Sequence, residues 1–260
     1  MIFSYFILRK VKGRSIDFLS FFKRISNLLN NLIICKLKKF KGEYLKITPK
    51  TPTRKEEIGS FITHTVGTGL AITGLVMLII RAVRLGGALR IASFTIFGVT
   101  LVLLYVASSL YHGLPIIVKS ARLQKVLRIF DHSAIFLLIA GSYTPFMLVT
   151  LRGSMGLSLF YIVWAIALVG IVLKVIFINK YPVLFTAIYI AMGWLIVIAI
   201  KPLIVALPKG SIVLLFLGGL TYTFGVIFYA WQKLQYNHFI WHFFVLFGSI
   251  FHYFAILFYV

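Results

Sequence analysis

His238 and His242 stand four positions apart in an apolar stretch close to the end of the chain. On an α-helix this spacing places both imidazoles on one face, about 6 Å apart along the axis, which suits a single metal ion. His112 would add a third nitrogen. Three protein ligands with an open fourth position are typical of a catalytic zinc ion, which makes its bound water a hydroxide near neutral pH. The three histidines therefore predict a zinc site.

Asp131 is the candidate for acid–base chemistry at this site, because it is the only carboxylate after residue 57. We expect it to orient or deprotonate the attacking water, or to orient one of the metal ligands through a hydrogen bond. Ser108 lies one turn before His112, so its hydroxyl could point to the same centre. The zinc-protease motif requires Glu after the first histidine, where this chain has Phe239. A metalloprotease of the soluble type is therefore not expected.

The other histidines are expected to play supporting roles. His64 and His132 are interpreted as hydrogen-bonding partners of the site rather than as ligands. His252 would lie roughly 21 Å along the helix from His238, too far to share an ion, and is expected to be hydrogen-bonded in the interior. The lone cysteine, Cys35, excludes an intramolecular disulfide and a multi-cysteine metal site.

Membrane helices must position these residues, because 61% hydrophobic content and 12% charged residues rule out a soluble globular protein. Seven apolar runs are long enough to cross a hydrocarbon core of roughly 30 Å as helices. They do not alternate as barrel strands would, and the links between them are short. The sequence thus predicts an all-α bundle of seven transmembrane helices, with Pro145 kinking the third. The predicted spans are Ser60–Ile80, Ile91–Leu110, Ile129–Leu151, Leu157–Ile176, Leu184–Ile200, Ile212–Tyr229 and His238–Tyr259.

The excess of 27 Lys and Arg over 5 Asp and Glu predicts topology rather than nucleic-acid binding. With the N-terminus inside, 21 basic residues fall on the cytoplasmic side and six on the other. The N-terminus is therefore expected in the cytoplasm and the C-terminus outside. In that topology His64, His112, Asp131, His238 and His242 converge on the cytoplasmic face.

Two regions are expected along the chain. Residues 1–57 hold 14 of the basic residues and form a cytoplasmic segment, whereas residues 58–260 form the membrane domain. Between residues 16 and 33 the apolar residues recur every three or four positions, as in an amphipathic helix that could contact anionic lipids. A poorly ordered tail is the alternative. The segment does not have the order of charged and apolar parts found in a secretory signal.

Four motifs resemble those of the hemolysin III-type proteins, bacterial relatives of the progestin and adipoQ receptors. The resemblance covers about residues 54 to 260. The motifs are RKEEIGSFITH at 54–64, with Ser60 where Asn is common, SSLYH at 108–112, DHS at 131–133 and HFIWHFFV at 238–245.

The resemblance implies a seven-helix bundle with the N-terminus inside and zinc held by His112, His238 and His242 near the cytoplasmic face. Asp131 and Ser108 would line that site. Among the receptors, relatives are linked to ceramide hydrolysis, and the wider superfamily is proposed to contain membrane-embedded, metal-dependent lipid hydrolases. The name hemolysin reflects a reported cytolytic activity.

The leading hypothesis is a zinc-dependent hydrolase of a lipid amide or ester in the cell membrane, with Asp131 as the base. The alternative is a receptor-like or membrane-homeostasis protein in which zinc is structural. Cytolytic pore formation is disfavoured because few polar residues could line a water-filled path. Haem bound by histidine pairs stays open, whereas the last span has no lysine to bind retinal. Membrane lipids are the expected partners.

Overall fold

The computed structural model describes residues 52–178 and 180–260. Over these ranges the chain is helical and forms no strand, as the apolar runs predicted. The amphipathic helix predicted within residues 16–33 lies outside the described residues, as does Cys35.

Seven helical segments in the described part of the chain are long and apolar enough to cross a membrane, which confirms the predicted seven-span bundle. We number them in chain order. Span 1 is Arg54–Leu85, span 2 Ala88–Ile117, span 3 Ala121–Thr150, span 4 Ser154–Ile176, span 5 Pro182–Ala206, span 6 Lys209–Ala230 and span 7 Asn237–Tyr259.

Span 1 begins six residues before the apolar run that predicted it, because a capping box starts the helix in polar sequence. The Thr53 hydroxyl accepts a hydrogen bond from the Glu56 amide at 3.3 Å, and the Glu56 carboxylate accepts one from the Thr53 amide at 2.8 Å. This reciprocal arrangement satisfies backbone donors that the helix leaves unpaired. The consequence is that the next residue, Glu57, belongs to the membrane bundle.

Span 3 is the most enclosed of the seven, whereas spans 5 and 6 are the least. Span 1 packs against both span 2 and span 7. Large apolar side chains cover the outside of the bundle, with Val205 as much as 88% exposed. In water such a surface would be unfavourable, but against lipid tails it is the expected one.

Gly67 brings spans 1 and 2 into close contact. A Cβ at this position would lie 2.5 Å from the ring of Tyr105, so a larger residue would push the helices apart. The Tyr105 hydroxyl in turn donates a hydrogen bond to Ser249 in span 7 at 2.9 Å. These contacts hold together the three spans that surround the histidines.

Two spans depart from regular α-helix, in each case next to a proline. Span 3 changes from α-helix to a π-helical turn, Phe146–Thr150, directly after Pro145. Span 5 contains a 3₁₀ segment, Leu195–Ala199, shortly before Pro202. Proline lacks an N–H and its ring displaces the carbonyl of the preceding turn, so the hydrogen-bond ladder must change there.

Tyr143 of span 3 compensates for the irregular backbone of span 5. Its hydroxyl lies 2.9 Å and 2.8 Å from the carbonyl oxygens of Met192 and Gly193, and it accepts a hydrogen bond from the Ile196 amide at 2.7 Å. Within a membrane no water is available for these groups, so a buried side chain must pair with them.

Candidate metal centre

The structure brings His112, His238 and His242 together although the first two stand 126 positions apart in the sequence. One nitrogen of each ring lies within 4.8 Å of the others, and Nε2 of His238 is 3.4 Å from Nε2 of His112. Two nitrogens bound to one tetrahedral zinc ion at 2.0–2.1 Å would stand about 3.4 Å apart. The geometry of this histidine cluster therefore fits the predicted ion.

Two members of the histidine cluster are buried, His112 with 1% and His242 with 2% of its surface exposed, and His238 is half-buried. Nδ1 of His242 has no hydrogen-bond partner among the described residues. An unsatisfied buried polar atom is unfavourable by about 1–3 kcal/mol. A metal cation bound by these ring nitrogens would be coordinated by their lone pairs. This is a second way in which the residues fit a metal.

Glu57 is a member of the site that the sequence analysis missed. Its Oε2 lies 2.6 Å from Nδ1 of His112, and since a carboxylate only accepts hydrogen bonds, Nδ1 of His112 must donate. This assignment leaves the lone pair of His112 on Nε2, the nitrogen that faces His238. Carboxylates commonly orient metal-binding histidines in this way.

The assumption that Asp131 alone could orient a ligand was therefore wrong. Glu57 had been assigned to the basic N-terminal segment because it precedes the first apolar run. One signal could have found it: Glu57 stands seven residues before His64, and two helical turns return to the same face.

Asp131 is buried, and its Oδ2 lies 3.3 Å from Nδ1 of His132. The carboxylate also interacts electrostatically with His112 and His238, so it belongs to the same end of the bundle. Ser108 is buried as well and precedes His112 by one turn of span 2. The structure thus places Ser108 one turn from His112 and pairs Asp131 with His132, and the chemical roles of both residues stay predictions.

His132 is a hydrogen-bonding partner, as predicted. Its Nδ1 lies 3.0 Å from the carbonyl oxygen of Arg128, and its own carbonyl accepts a hydrogen bond from Tyr189 at 2.9 Å.

His64 interacts with the backbone of His242, but neither of its ring nitrogens has a partner at full hydrogen-bonding distance and angle within the described chain. Its ring instead packs on that of His242, with centroids 3.8 Å apart, and meets the edge of Tyr105. His64 is not part of the group of three possible ligands, so its contribution is to support His242 by ring packing.

His252 lies away from the histidine cluster, as expected from its depth in span 7. The ring of His252 meets the edge of Tyr222, with centroids 5.5 Å apart. His252 makes the predicted hydrogen bond with the backbone of Leu215, whereas its Nε2 has no partner among the described residues.

Seven apolar spans around a buried histidine cluster define an integral, multi-pass protein of the cell membrane with a candidate metal centre. Residues 53–253 match the family described as haemolysin-III related, and the chain belongs to this family. It is similar to the hemolysin-3 homolog of Bacillus subtilis (strain 168), with 49% identity over 207 residues that cover 80% of this chain and 95% of the relative.

Two further relatives extend the comparison. Hemolysin-3 of Bacillus cereus is 46% identical over 215 residues, which cover 83% of this chain and 96% of the relative. The monocyte to macrophage differentiation factor of Homo sapiens is 28% identical over 168 residues, covering 62% of this chain and 67% of the relative. The resemblance found in the motifs is thus confirmed over most of the chain.

Proposed function

We propose that the protein is a zinc-dependent hydrolase that cleaves an amide or ester bond of a membrane lipid. The observation that carries the proposal is the convergence of three histidine nitrogens within 4.8 Å, one of them on a ring oriented by the carboxylate of Glu57. A nitrogen-rich, three-ligand site with neighbouring polar groups is typical of catalytic rather than closed structural zinc.

Each residue of the site would have a distinct task. His112, His238 and His242 would hold the ion, which when bound supplies a Lewis acid for a carbonyl oxygen and a lowered pKa for water. Asp131 would take the proton from the attacking water, since its carboxylate interacts with the histidines across the site. Ser108, buried one turn before His112, would hydrogen-bond to the reacting group.

We also propose the orientation that the basic residues predict, with the N-terminus and the histidine cluster at the cytoplasmic face. The basic segment that precedes span 1 would then contact the anionic lipids of that leaflet.

The test uses purified protein in nanodiscs made from a bacterial lipid extract. Elemental analysis should find about one zinc per chain, as expected for one three-ligand site. Mass spectrometry should show that lipid products accumulate over time. The Asp131→Ala variant should keep the zinc and lose turnover, whereas His242→Ala should lose both. His252→Ala, a histidine outside the site, is the matched control and should keep both. Turnover that survives Asp131→Ala would show the mechanism to be wrong.

A structural role for zinc is the second candidate, and the distribution of the ligands over distant parts of the chain favours it. His112 belongs to span 2, His238 and His242 belong to span 7, and Glu57 reaches the cluster from span 1. An ion held there would join three helices. In that case a chelator would lower the melting temperature while no lipid product formed in any nanodisc composition.

A further inference from the structure

A cleft with a volume of about 330 Å³ lies between the ends of spans 1 and 7. This end of the bundle is opposite the candidate metal centre, which Glu57 contacts from the first turn of span 1. Clefts that bind small molecules commonly enclose about 300–1,000 Å³. The cleft is therefore large enough for part of a lipid molecule. We call it the arginine cleft, and it is lined by Arg81 and Arg84 together with the apolar residues Met77, Ile80, Leu85, Leu257 and Phe258.

The two arginines of the cleft have hydrogen-bond donors to spare. Arg81 donates from Nη2 to the carbonyl oxygen of Phe258 at 3.3 Å, which joins span 1 to span 7. The Nε of Arg81 has no partner among the described residues. Arg84 makes no hydrogen bond and no ion pair within the described chain. Since each guanidinium has five N–H donors, the arginine cleft offers donors that the protein itself does not use.

No carboxylate side chain of the described chain lies near the arginine cleft. Glu56 and Glu57 belong to the first turn of span 1 and Asp131 to the first half of span 3, so all three lie toward the other end of the bundle. Arg90 is near the cleft, but it donates to the oxygen of Val260 and to the backbone carbonyls that end span 1. A carboxylate at Val260 would offset one of the three arginine charges and leave two. Charge complementarity therefore favours an anion in the cleft.

The apolar part of the arginine cleft extends deeper into the membrane than the arginines. Met77 stands seven positions before Arg84, which is about 10 Å along the helix axis at 1.5 Å per residue. Met77, Ile80 and Phe258 are each about half exposed, so their side chains are free to contact a ligand. A ligand in the cleft would meet cations at the end of the spans and apolar walls below them. A phospholipid has its polar and apolar parts in the same order.

We propose that the arginine cleft is a binding site for an anionic phospholipid. Arg81 and Arg84 would donate hydrogen bonds to the phosphate, whose geometry a guanidinium matches well. One acyl chain would lie against Met77 and Ile80. Because the cleft is formed by spans 1 and 7, the bound lipid would hold the ends of these two spans together. The site is separate from the candidate metal centre, so lipid binding does not depend on zinc or on the proposed hydrolysis.

The test titrates three probes into the purified protein in a neutral detergent and follows the melting temperature, which rises when a ligand binds the folded state. The probes are dioctanoyl phosphatidylglycerol, dioctanoyl phosphatidylcholine and inorganic phosphate. Phosphatidylglycerol should bind more tightly than phosphatidylcholine, whose own cation stands beside its phosphate. Equal affinity for the two lipids would overturn the proposal. Inorganic phosphate that binds as tightly as phosphatidylglycerol would assign the cleft to a free anion and contradict the lipid assignment.

Arg84→Gln is the decisive variant, because Arg84 has no protein partner whose loss would disturb the fold. It should keep the melting temperature measured without lipid. Its affinity for phosphatidylglycerol should fall about fivefold, which corresponds to about 1 kcal/mol for one basic residue at an anionic lipid. Arg152→Gln is the matched control, since Arg152 is an exposed arginine at the same end of the bundle and outside the cleft. Phosphatidylglycerol affinity in Arg84→Gln that is no lower than in Arg152→Gln would overturn the proposal. The basic segment before span 1 is the same in both variants, so it does not contribute to the difference.

The apolar part of the arginine cleft is tested by a second pair of variants. Met77→Trp places a large ring in the cleft, where the acyl chain would lie. Val76→Trp is the matched control, because Val76 is an adjacent, equally exposed residue that does not line the cleft. Met77→Trp should lower the affinity for phosphatidylglycerol at least about fivefold relative to Val76→Trp. Equal affinities in the two tryptophan variants would show that the lipid binds elsewhere, which contradicts the proposal.

Discussion

Glu57 offers the sharpest test of the candidate metal centre. Its carboxylate lies 2.6 Å from Nδ1 of His112. Glu57→Gln removes the negative charge but keeps an oxygen that can still accept the hydrogen bond. Carboxylates that orient metal-binding histidines typically change metal affinity by about 10- to 100-fold, or about 1.4–2.7 kcal/mol. Because the Glu57 side chain is 27% exposed, solvent screens part of its charge. We therefore expect Glu57→Gln to weaken zinc binding by about tenfold, at the lower end of that range.

The assay is a competition titration between the protein and a chromophoric zinc chelator in detergent. Glu57→Ala, which removes the hydrogen bond as well as the charge, should weaken binding further, to about 100-fold. The gap between the two variants separates the contribution of orientation from that of charge.

Glu56 is the matched control, since it is an adjacent carboxylate of the same helix whose partner is the Thr53 amide. Glu56→Gln should keep the capping box, because glutamine also accepts the Thr53 amide at this position, and it should leave zinc affinity unaltered. Zinc affinity within twofold of wild type in Glu57→Gln would refute the reasoning. So would an equal loss in both variants, because the effect would then come from the fold of span 1.

Three further outcomes are expected. Tyr143→Phe should lower the free energy of unfolding in detergent by about 1–3 kcal/mol, because the carbonyls and the amide of span 5 lose their buried partner; Tyr161→Phe, an exposed tyrosine, should have no effect. Gly67→Ala should lower the same free energy of unfolding by about 1–3 kcal/mol through its clash with Tyr105. Gly69→Ala, in open space on the same helix, should leave it unchanged or raise it. A reporter enzyme that works only outside the cytoplasm should be active when it is fused after the last residue. Activity of a reporter that works only in the cytoplasm would contradict the predicted topology.

Local sequence determines which parts of this chain become membrane helices. An apolar run of about 20 residues has no alternative in lipid, because only a helix pairs every backbone group within the segment. The ends of the helices were harder to predict from the sequence. The start of span 1 depends on the Thr53 and Glu56 capping box, which is polar and so lies outside the apolar signal. Span 2 was predicted to end at Leu110, yet it continues through Pro115 to Ile117.

The members of the histidine cluster could also be predicted in part from the sequence. The four-residue spacing of His238 and His242 already places both on one helix face, and the alternation of spans across the membrane brings His112 to the same end. Helix periodicity and topology together therefore suffice to nominate the three residues.

The tertiary structure alone decided which groups surround that cluster. Glu57 contacts His112 from another span, the ring of His64 packs on His242, and Lys174 is buried against the ring of Phe185. Each of these depends on how far one helix is rotated and shifted against its neighbour. Close packing sets those angles through many small contacts, such as the one between Gly67 and Tyr105, and hydropathy carries no information about them.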